Sequence, residues 1–214
     1  MIEFWFDFAS TYSYPAAMRI DSAARRLGCP VAWRPFLLGP IFRQQGWNDS
    51  PFNLYPAKGR YMWRDLERIC ARAQLAFRKP SQFPRNGLLA ARVVCTEPDA
   101  SWVPEFVRRV FTAGFAADAD IADAGVLRDC LDGLVAAPAG TLAATQDDDV
   151  KSRLRMNTEH AVARGIFGAP TFVVGDELFW GHDRLDEALQ WWRDAHAEAA
   201  ASAADPGRGD SGTS

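Results

Sequence analysis

Residues 2–8, Ile-Glu-Phe-Trp-Phe-Asp-Phe, form a short aromatic run that stops at small polar residues, the pattern of a buried strand ending in a turn. Met18, Ile20, Ala24 and Leu27 then mark a loosely amphipathic stretch. Pro15 is tolerable in its first turn and Gly28 stands at its end, which predicts a helix over about 12–28. Val-Ala-Trp-Arg-Pro-Phe-Leu-Leu reads as a second strand, broken by Pro35 and closed by Gly39-Pro40. The chain therefore opens β-α-β, a unit that needs a right-handed crossover.

From Pro40 to Pro56 no period survives and turn formers are frequent, which predicts a long ordered loop, and loops of that length usually serve a function. Tyr61, Met62, Leu66, Ile69 and Ala73 recur at three- and four-residue spacing, with Arg64, Asp65, Glu67, Arg68 and Arg72 outside the stripe, so Lys58–Leu75 is expected to be a helix. Further helices are expected near 86–97, 102–116, 123–135 and 148–165, separated by Pro98, Asp118–Asp120 and Pro138–Gly140. This helical block carries no strand signal. Strands return late, where Gly175-Asp176 turns 171–175 back onto 177–180 as a hairpin. A last helix begins at Asp183 with Leu185, Ala188, Leu189 and Trp192 as its apolar stripe, and its Ala-, Gly- and Ser-rich continuation predicts disorder over 199–214. The expected class is α/β: a thioredoxin-like β-α-β plus β-β-α sheet interrupted once by an all-helical insertion. Segments 1–40 and 166–198 would form the discontinuous thioredoxin-like domain, and 41–165 the insertion domain.

With 48% apolar residues in 214, the chain can bury a core sufficient for such a domain and its insertion. Its net charge of -3, with Lys and Arg interspersed among Asp and Glu, leaves no basic face for nucleic acid. A small-molecule partner is expected. No apolar run approaches the roughly 20 residues of a membrane span, and Glu3 and Asp7 interrupt an N-terminus that is unlike a secretory leader, so the expected setting is cytoplasmic. Cys29, Cys70, Cys95 and Cys130 lie far apart, with no C-x-x-C and no His at metal-ligand spacing. Neither a metal site nor a dithiol redox pair is encoded, and the cysteines read as small buried hydrophobes.

Two segments can carry chemistry. Ser10, Thr11, Tyr12 and Ser13 follow the first strand at the head of the first helix, where unpaired N–H groups and the helix dipole stabilise an anion. A thiolate held there gains a lowered pKa, and with no cysteine present the thiolate must arrive with a ligand; the alternative is that Ser10 or Ser13 is simply a helix cap. Ala169-Pro170 precedes a strand that must pair with its neighbour, a position that suits a cis peptide, against the commoner trans proline at a strand start.

Phe-Asp-Phe-Ala-Ser-Thr-Tyr-Ser-Tyr (6–14), the helix start at 56–68, Phe-Pro-Arg-Asn-Gly (83–87) and the long 157–186 segment, taken in this element order, resemble 2-hydroxychromene-2-carboxylate isomerases. That family is similar to kappa-class glutathione transferases and to the wider DsbA-like group, and the resemblance spans roughly 1–196. It implies glutathione as cofactor, bound between the two domains, and a homodimer. It also implies an isomerase in which the glutathione thiolate adds to a conjugated carbon of an aromatic 2-oxo acid, the double bond rotates as a single bond, and elimination restores it.

By the same resemblance, Ser10 would hydrogen-bond the glutathione sulfur and hold it as thiolate. Ala169, before Pro170, would pair its backbone with the cysteinyl residue as a strand edge pairs with a peptide. Trp180 would belong to the glutathione site, and Gly181, His182 and Asp183 would meet the γ-glutamyl group, with Asp183 facing its ammonium or capping the last helix. Lys58 would face the glycine carboxylate. An asparagine precedes that lysine in the family, and here Asn53 is favoured over Asn48. Arg85 and Asn86 would face the substrate, and Tyr12 and Trp47 would wall its aromatic ring or else belong to the core. Thr11 and His182 depart from the family pattern, in which a proline and a small or polar residue are expected. Conjugation or peroxide reduction, as in a kappa-like transferase, is the alternative activity, and a non-redox DsbA-like peptide binder ranks behind it.

Overall fold

A computed structural model describes the backbone of residues 1–204 and the side chains of residues 1–197. Four strands form one sheet: β1 (Ile2–Phe6), β2 (Val31–Pro35), β3 (Thr171–Val174) and β4 (Glu177–Trp180), in the spatial order β2-β1-β3-β4. β1 runs parallel to β2 and antiparallel to β3, with Phe4 opposite Trp33 on one side and Phe172 on the other. The parallel pair demands a crossover, which α1 (Ser13–Arg25) provides, whereas β3 and β4 need only a tight turn at Gly175. The expected β-α-β and β-β-α halves are therefore both present and share β1 and β3 as the sheet centre.

Side-chain alternation explains how the sheet is covered. Ile2, Phe4, Phe6, Phe172 and Val174 face the main core, where the Phe4 ring stacks on Phe172 at 5.5 Å and meets Trp33 edge-on at 5.0 Å. Trp5 and Val173 point the other way, into a smaller cluster with Phe36, Ile41, Ala161 and Ile166. Both faces are thus apolar, so β1 reads as a nearly continuous hydrophobic run.

The chain between β2 and β3 is helical: α2 (Leu38–Gln44), α3 (Pro51–Leu54), α4 (Pro56–Arg72), α5 (Leu88–Thr96), α6 (Val103–Phe115), α7 (Ala124–Leu131), α8 (Pro138–Ala144) and α9 (Asp148–Ala163). Phe106, Val107, Val110 and Phe111 on α6 complete the core that begins on β1, with Phe8 and Phe111 at 5.1 Å. α10 (Leu185–Ala204) closes the molecule and packs against α1 and β3. Three expectations need correction. The 40–56 segment, expected as a loop, contains α2 and α3, and Pro138–Gly140, read as a separator, begins α8. α10 also continues to Ala204, into the segment expected to be disordered, while 205–214 lie outside the described residues.

A buried hydrogen bond helps tie the first helix to the helical block: the Tyr14 hydroxyl, on a side chain that is fully buried, donates to the Ala76 carbonyl at 2.7 Å. Tyr14→Phe keeps the ring and strands that carbonyl, so it should lower the unfolding free energy by about 1 kcal/mol. A denaturant midpoint unchanged from wild type would refute this.

Candidate functional site

The head of α1, the 168–170 turn, the β4 end and the α2–α4 segment enclose a cleft of about 1880 Å³. That is well beyond the roughly 300–1,000 Å³ of a common small-molecule site, so the cleft has room for two ligands at once. Its floor is built where β1 ends. Ser10 is nearly buried, its hydroxyl donates to the Ala169 carbonyl at 2.8 Å, and its oxygen accepts from the Ser13 amide at 3.3 Å. Tyr12 stands at the cap position of α1 without a side-chain capping bond, so Ser10 meets the first helical amide from outside the helix and also bridges to the turn before β3. The amides of Thr11 and Tyr12 have no acceptor among the described residues, which leaves the positive end of α1 open beside that hydroxyl.

The Ala169-Pro170 peptide is cis, and so is Phe83-Pro84, for which the sequence carries no comparable signal. The strand ladder begins at Thr171, so the Ala169 N–H has no backbone acceptor among the described residues and forms a free edge for an extended peptide. Trp180 packs over this turn: a Cβ on Gly168 would fall 2.4 Å from the Trp180 indole nitrogen, and the Phe167 ring lies 4.8 Å from the Trp180 ring. Gly181 then takes φ 116°, a left-handed value suited to glycine, and its amide donates to the Pro170 carbonyl at 2.9 Å. Asp183 lies inside the single 3-10 turn His182–Arg184 and makes no capping bond, so the alternative reading of it as the cap is not realised. Its carboxylate lines the cleft and, among the described residues, pairs only with Arg184, at 3.4 Å.

Across the cleft, Lys58 stands in the first turn of α4 with its ammonium 4.8 Å above the Tyr55 ring and no ion pair among the described residues. Of the two asparagines, Asn48 lines the cleft. Asn53 is set back: its amide nitrogen donates to both oxygens of Asp49 and to the Phe83 carbonyl, which fixes α3 against the 83–87 segment. Arg85 reaches the cleft wall, but its guanidinium is buried against Asp118, whose carboxyl the Ser81 amide and Arg85 hold below the usual carboxylate range. Its charge is matched internally rather than offered to a ligand. Asn86 accepts from the Leu88 amide at 3.0 Å and so starts α5.

Tyr12 lines the cleft with one aromatic face already engaged. One face stacks on His182 at 5.3 Å and 11°, Phe52 approaches at 6.3 Å, and the hydroxyl donates to Asp65 at 3.1 Å. Burial first, and then Asp65, push the Tyr12 hydroxyl further above its ordinary value, so it stays a donor. Trp47 is different. It pairs with Phe42 at 5.7 Å on the cleft wall, leaving an aromatic surface beside Arg43, which has no ion pair among the described residues.

Sequence reasoning missed Arg43 and Asp7. The Asp7 carboxylate is buried and accepts from the Ala9 amide at 2.8 Å and the Leu38 amide at 2.7 Å, locking the Ser10 turn to the start of α2. Burial raises its pKa and the two amides pull it back. An acid inside an aromatic strand run was the available signal. All four cysteines are buried thiols, and burial pushes Cys70 up to about 11 and Cys95 to about 12, so no protein thiolate competes at this site. No group of His, Cys, Asp and Glu suited to a metal occurs among the described residues, and none of their helices is long and apolar enough to cross a membrane.

Residues 1–190 match the DSBA-like thioredoxin domain. The chain is 32% identical to a 2-hydroxychromene-2-carboxylate isomerase of Sphingobium xenophagum, over 86% of this chain and 94% of the relative. It is 24% identical to glutathione S-transferase kappa 2 of Caenorhabditis elegans, over 89% and 91%. Its fold superposes on a solved 2-hydroxychromene-2-carboxylate isomerase with a TM-score of 0.80 at 22% identity, covering 96% of this chain and 98% of that one. With a domain match over residues 1–190 and an isomerase relative 32% identical over 86% of this chain, the chain belongs to the DSBA-like thioredoxin family and, within it, to the 2-hydroxychromene-2-carboxylate isomerases.

Proposed function

We propose that the protein is a glutathione-dependent cis-trans isomerase of 2-hydroxychromene-2-carboxylate-type aromatic 2-oxo acids. The observation that carries this reading is the Ser10 hydroxyl at the open head of α1, 2.8 Å from the carbonyl of Ala169. A hydroxyl donor, two unpaired amides and a free peptide edge meet at one point, which is what a cysteinyl thiolate embedded in a peptide requires. The residues present fit glutathione: Ala169 offers its backbone, Lys58 a cation for the glycine carboxylate, and Asp183 a carboxylate for the ammonium. When bound, glutathione supplies the sulfur nucleophile whose reversible addition turns a double bond into a rotatable single one.

The chain's own part is positional and electrostatic. Ser10 turns its proton from the Ala169 carbonyl to the incoming sulfur and favours its ionised form. Trp47 and Phe42 receive the acceptor's ring, and Arg43, which follows Phe42 on α2, is a cation for its carboxylate. Arg85 and Asn86 act by shaping the wall rather than by touching the acceptor. The homodimer implied by the family and the cytoplasmic setting expected from the sequence belong to the same proposal.

The kappa-class relative supports a second reading, conjugation or peroxide reduction with the same bound sulfur. Two assays on one preparation separate them: conversion of 2-hydroxychromene-2-carboxylate with added glutathione, and conjugation of chlorodinitrobenzene. Isomerisation that is fast and glutathione-dependent, with slow conjugation, is expected. Calorimetry that detects no glutathione binding at millimolar concentration would sink both.

A further inference from the structure

We infer that the imidazole of His182, clamped face-on by the Tyr12 ring, is the receptor for the α-carboxylate of the γ-glutamyl end, and that it makes affinity for that end rise as the medium is acidified. This inference rests on the glutathione reading above. The two rings lie 5.3 Å apart and 11° from parallel, and Tyr12 is itself held because its hydroxyl donates to Asp65 on α4. The plane of the imidazole is fixed while its edge is open: neither ring nitrogen makes a hydrogen bond among the described residues, and the residue lines the cleft. A ring locked by its face and free at its edge is a pre-oriented donor.

A γ-glutamyl end carries an ammonium and a carboxylate on one carbon. Asp183, next in the chain, suits the ammonium, and the carboxylate then needs a donor beside it. Arg184 is paired with Glu187 at 2.9 Å and with Asp183, and Arg19 is paired with Asp186. The rival is Arg72 at the end of α4, which lines the same cleft. His182 is set apart from it by its position on the same short turn as Asp183, so both halves of the zwitterion are met by neighbouring residues.

The charged groups facing His182 set its titration. Burial acts most strongly, against the cation; Asp183 on its own turn and Asp65 on α4 favour it, while Arg19 on α1 and Arg72 on α4 oppose it. The balance keeps the ring below the ordinary histidine value, so its uptake of a proton lies on the acid side of that value. A bound carboxylate favours that proton, and by linkage the proton favours the carboxylate. Affinity therefore rises as pH falls.

The test titrates three ligands into the full-length protein by calorimetry at about pH 7.5 and about pH 5.5, on either side of an ordinary histidine value. They are glutathione, glutaryl-cysteinyl-glycine, which lacks the ammonium, and γ-aminobutyryl-cysteinyl-glycine, which lacks the α-carboxylate. For the two carboxylate-bearing ligands wild type should bind about tenfold tighter at the lower pH, the scale of one charged hydrogen bond, and His182→Asn should lose that gain. For the ligand without the carboxylate the two proteins should behave alike. Titration of the ligand thiol is common to both proteins and cancels between them. Tyr12→Leu, which frees the imidazole to rotate, should also lose most of the gain, and melting curves confirm that both variants fold. Glutathione binding with the pH gain intact in His182→Asn overturns the inference and leaves the glutathione reading standing, with Arg72 as the receptor. An equal loss for all three ligands overturns it too, and absence of any binding to wild type removes both.

Discussion

Ser10→Ala is expected to slow glutathione-dependent turnover by about two orders of magnitude, the scale found when one preorganised donor to a developing anion is removed. The bound thiol should at the same time titrate near its ordinary value of about 8.5. The hydroxyl has one proton, and in the ligand-free arrangement that proton lies on the Ala169 carbonyl at 2.8 Å. A neutral hydrogen bond contributes about 1 kcal/mol and one to a charged group about 1.5–3 kcal/mol, so swinging the proton onto a thiolate is favourable while swinging it onto a thiol is not. Ser10 thus selects the ionised sulfur. The serine oxygen keeps its bond from the Ser13 amide through the swing, which holds the side chain in place. The ultraviolet absorbance of the bound thiolate, followed against pH in wild type and variant, reads this directly. A titration midpoint that Ser10→Ala leaves unmoved would remove Ser10 from the mechanism, whatever happens to the rate.

The same segment shows what the sequence could and could not reveal. The strands, α1, α4 and the late hairpin were legible because each carries a strong period or a pair of turn residues, as Gly175-Asp176 does between β3 and β4. α2 and α8 were not, and for one reason. Each has a proline in its first turn, at Pro40 and Pro138, where the missing N–H costs nothing, and the residue that opens a helix was read as one that ends structure. Neither helix offers a stripe to correct the mistake, since α2 buries only Ile41 and α8 buries nothing.

At the site the division follows sequence distance. Ser10, Ala169, Lys58 and the 180–183 turn could be placed because a whole ordered pattern points to them. What uses up a side chain could not be read. Arg85 is paired by Asp118, which adopts a positive φ far along the chain, and Tyr12 is covered by His182 from the other end of the molecule. Both look available in one dimension and are engaged in three. Asn53 is the local version, since Asp49 lies one helical turn away and still claims its amide.

Gly59→Ala should lower stability by about 1–3 kcal/mol, the usual cost of overpacking, and weaken glutathione binding about tenfold. Alanine is favoured over glycine in a helix interior by up to about 1 kcal/mol, so α4 taken alone predicts a gain. The third dimension reverses the sign: a Cβ at this position would fall 2.2 Å from the Phe52 carbonyl oxygen, a backbone atom that cannot rotate away. Relief requires α3 to move off α4. α3 buries no residue, but it is fixed at both ends, by the Ser50 cap to the Phe52 amide and by the Asn53 bonds to Asp49 and Phe83. Displacing it therefore pulls on the 47–58 wall of the cleft, including Trp47 and Lys58, without touching Ser10 or Ala169. Binding should suffer while the titration of the bound thiol stays at its wild-type position, the reverse of the pattern expected for Ser10→Ala. Hydrogen exchange would show faster opening of the 50–58 amides with the β1 and β3 amides unchanged. If Gly59→Ala is instead as stable as wild type and binds glutathione as tightly, α3 does not rest on α4, and the cleft wall is not built as described.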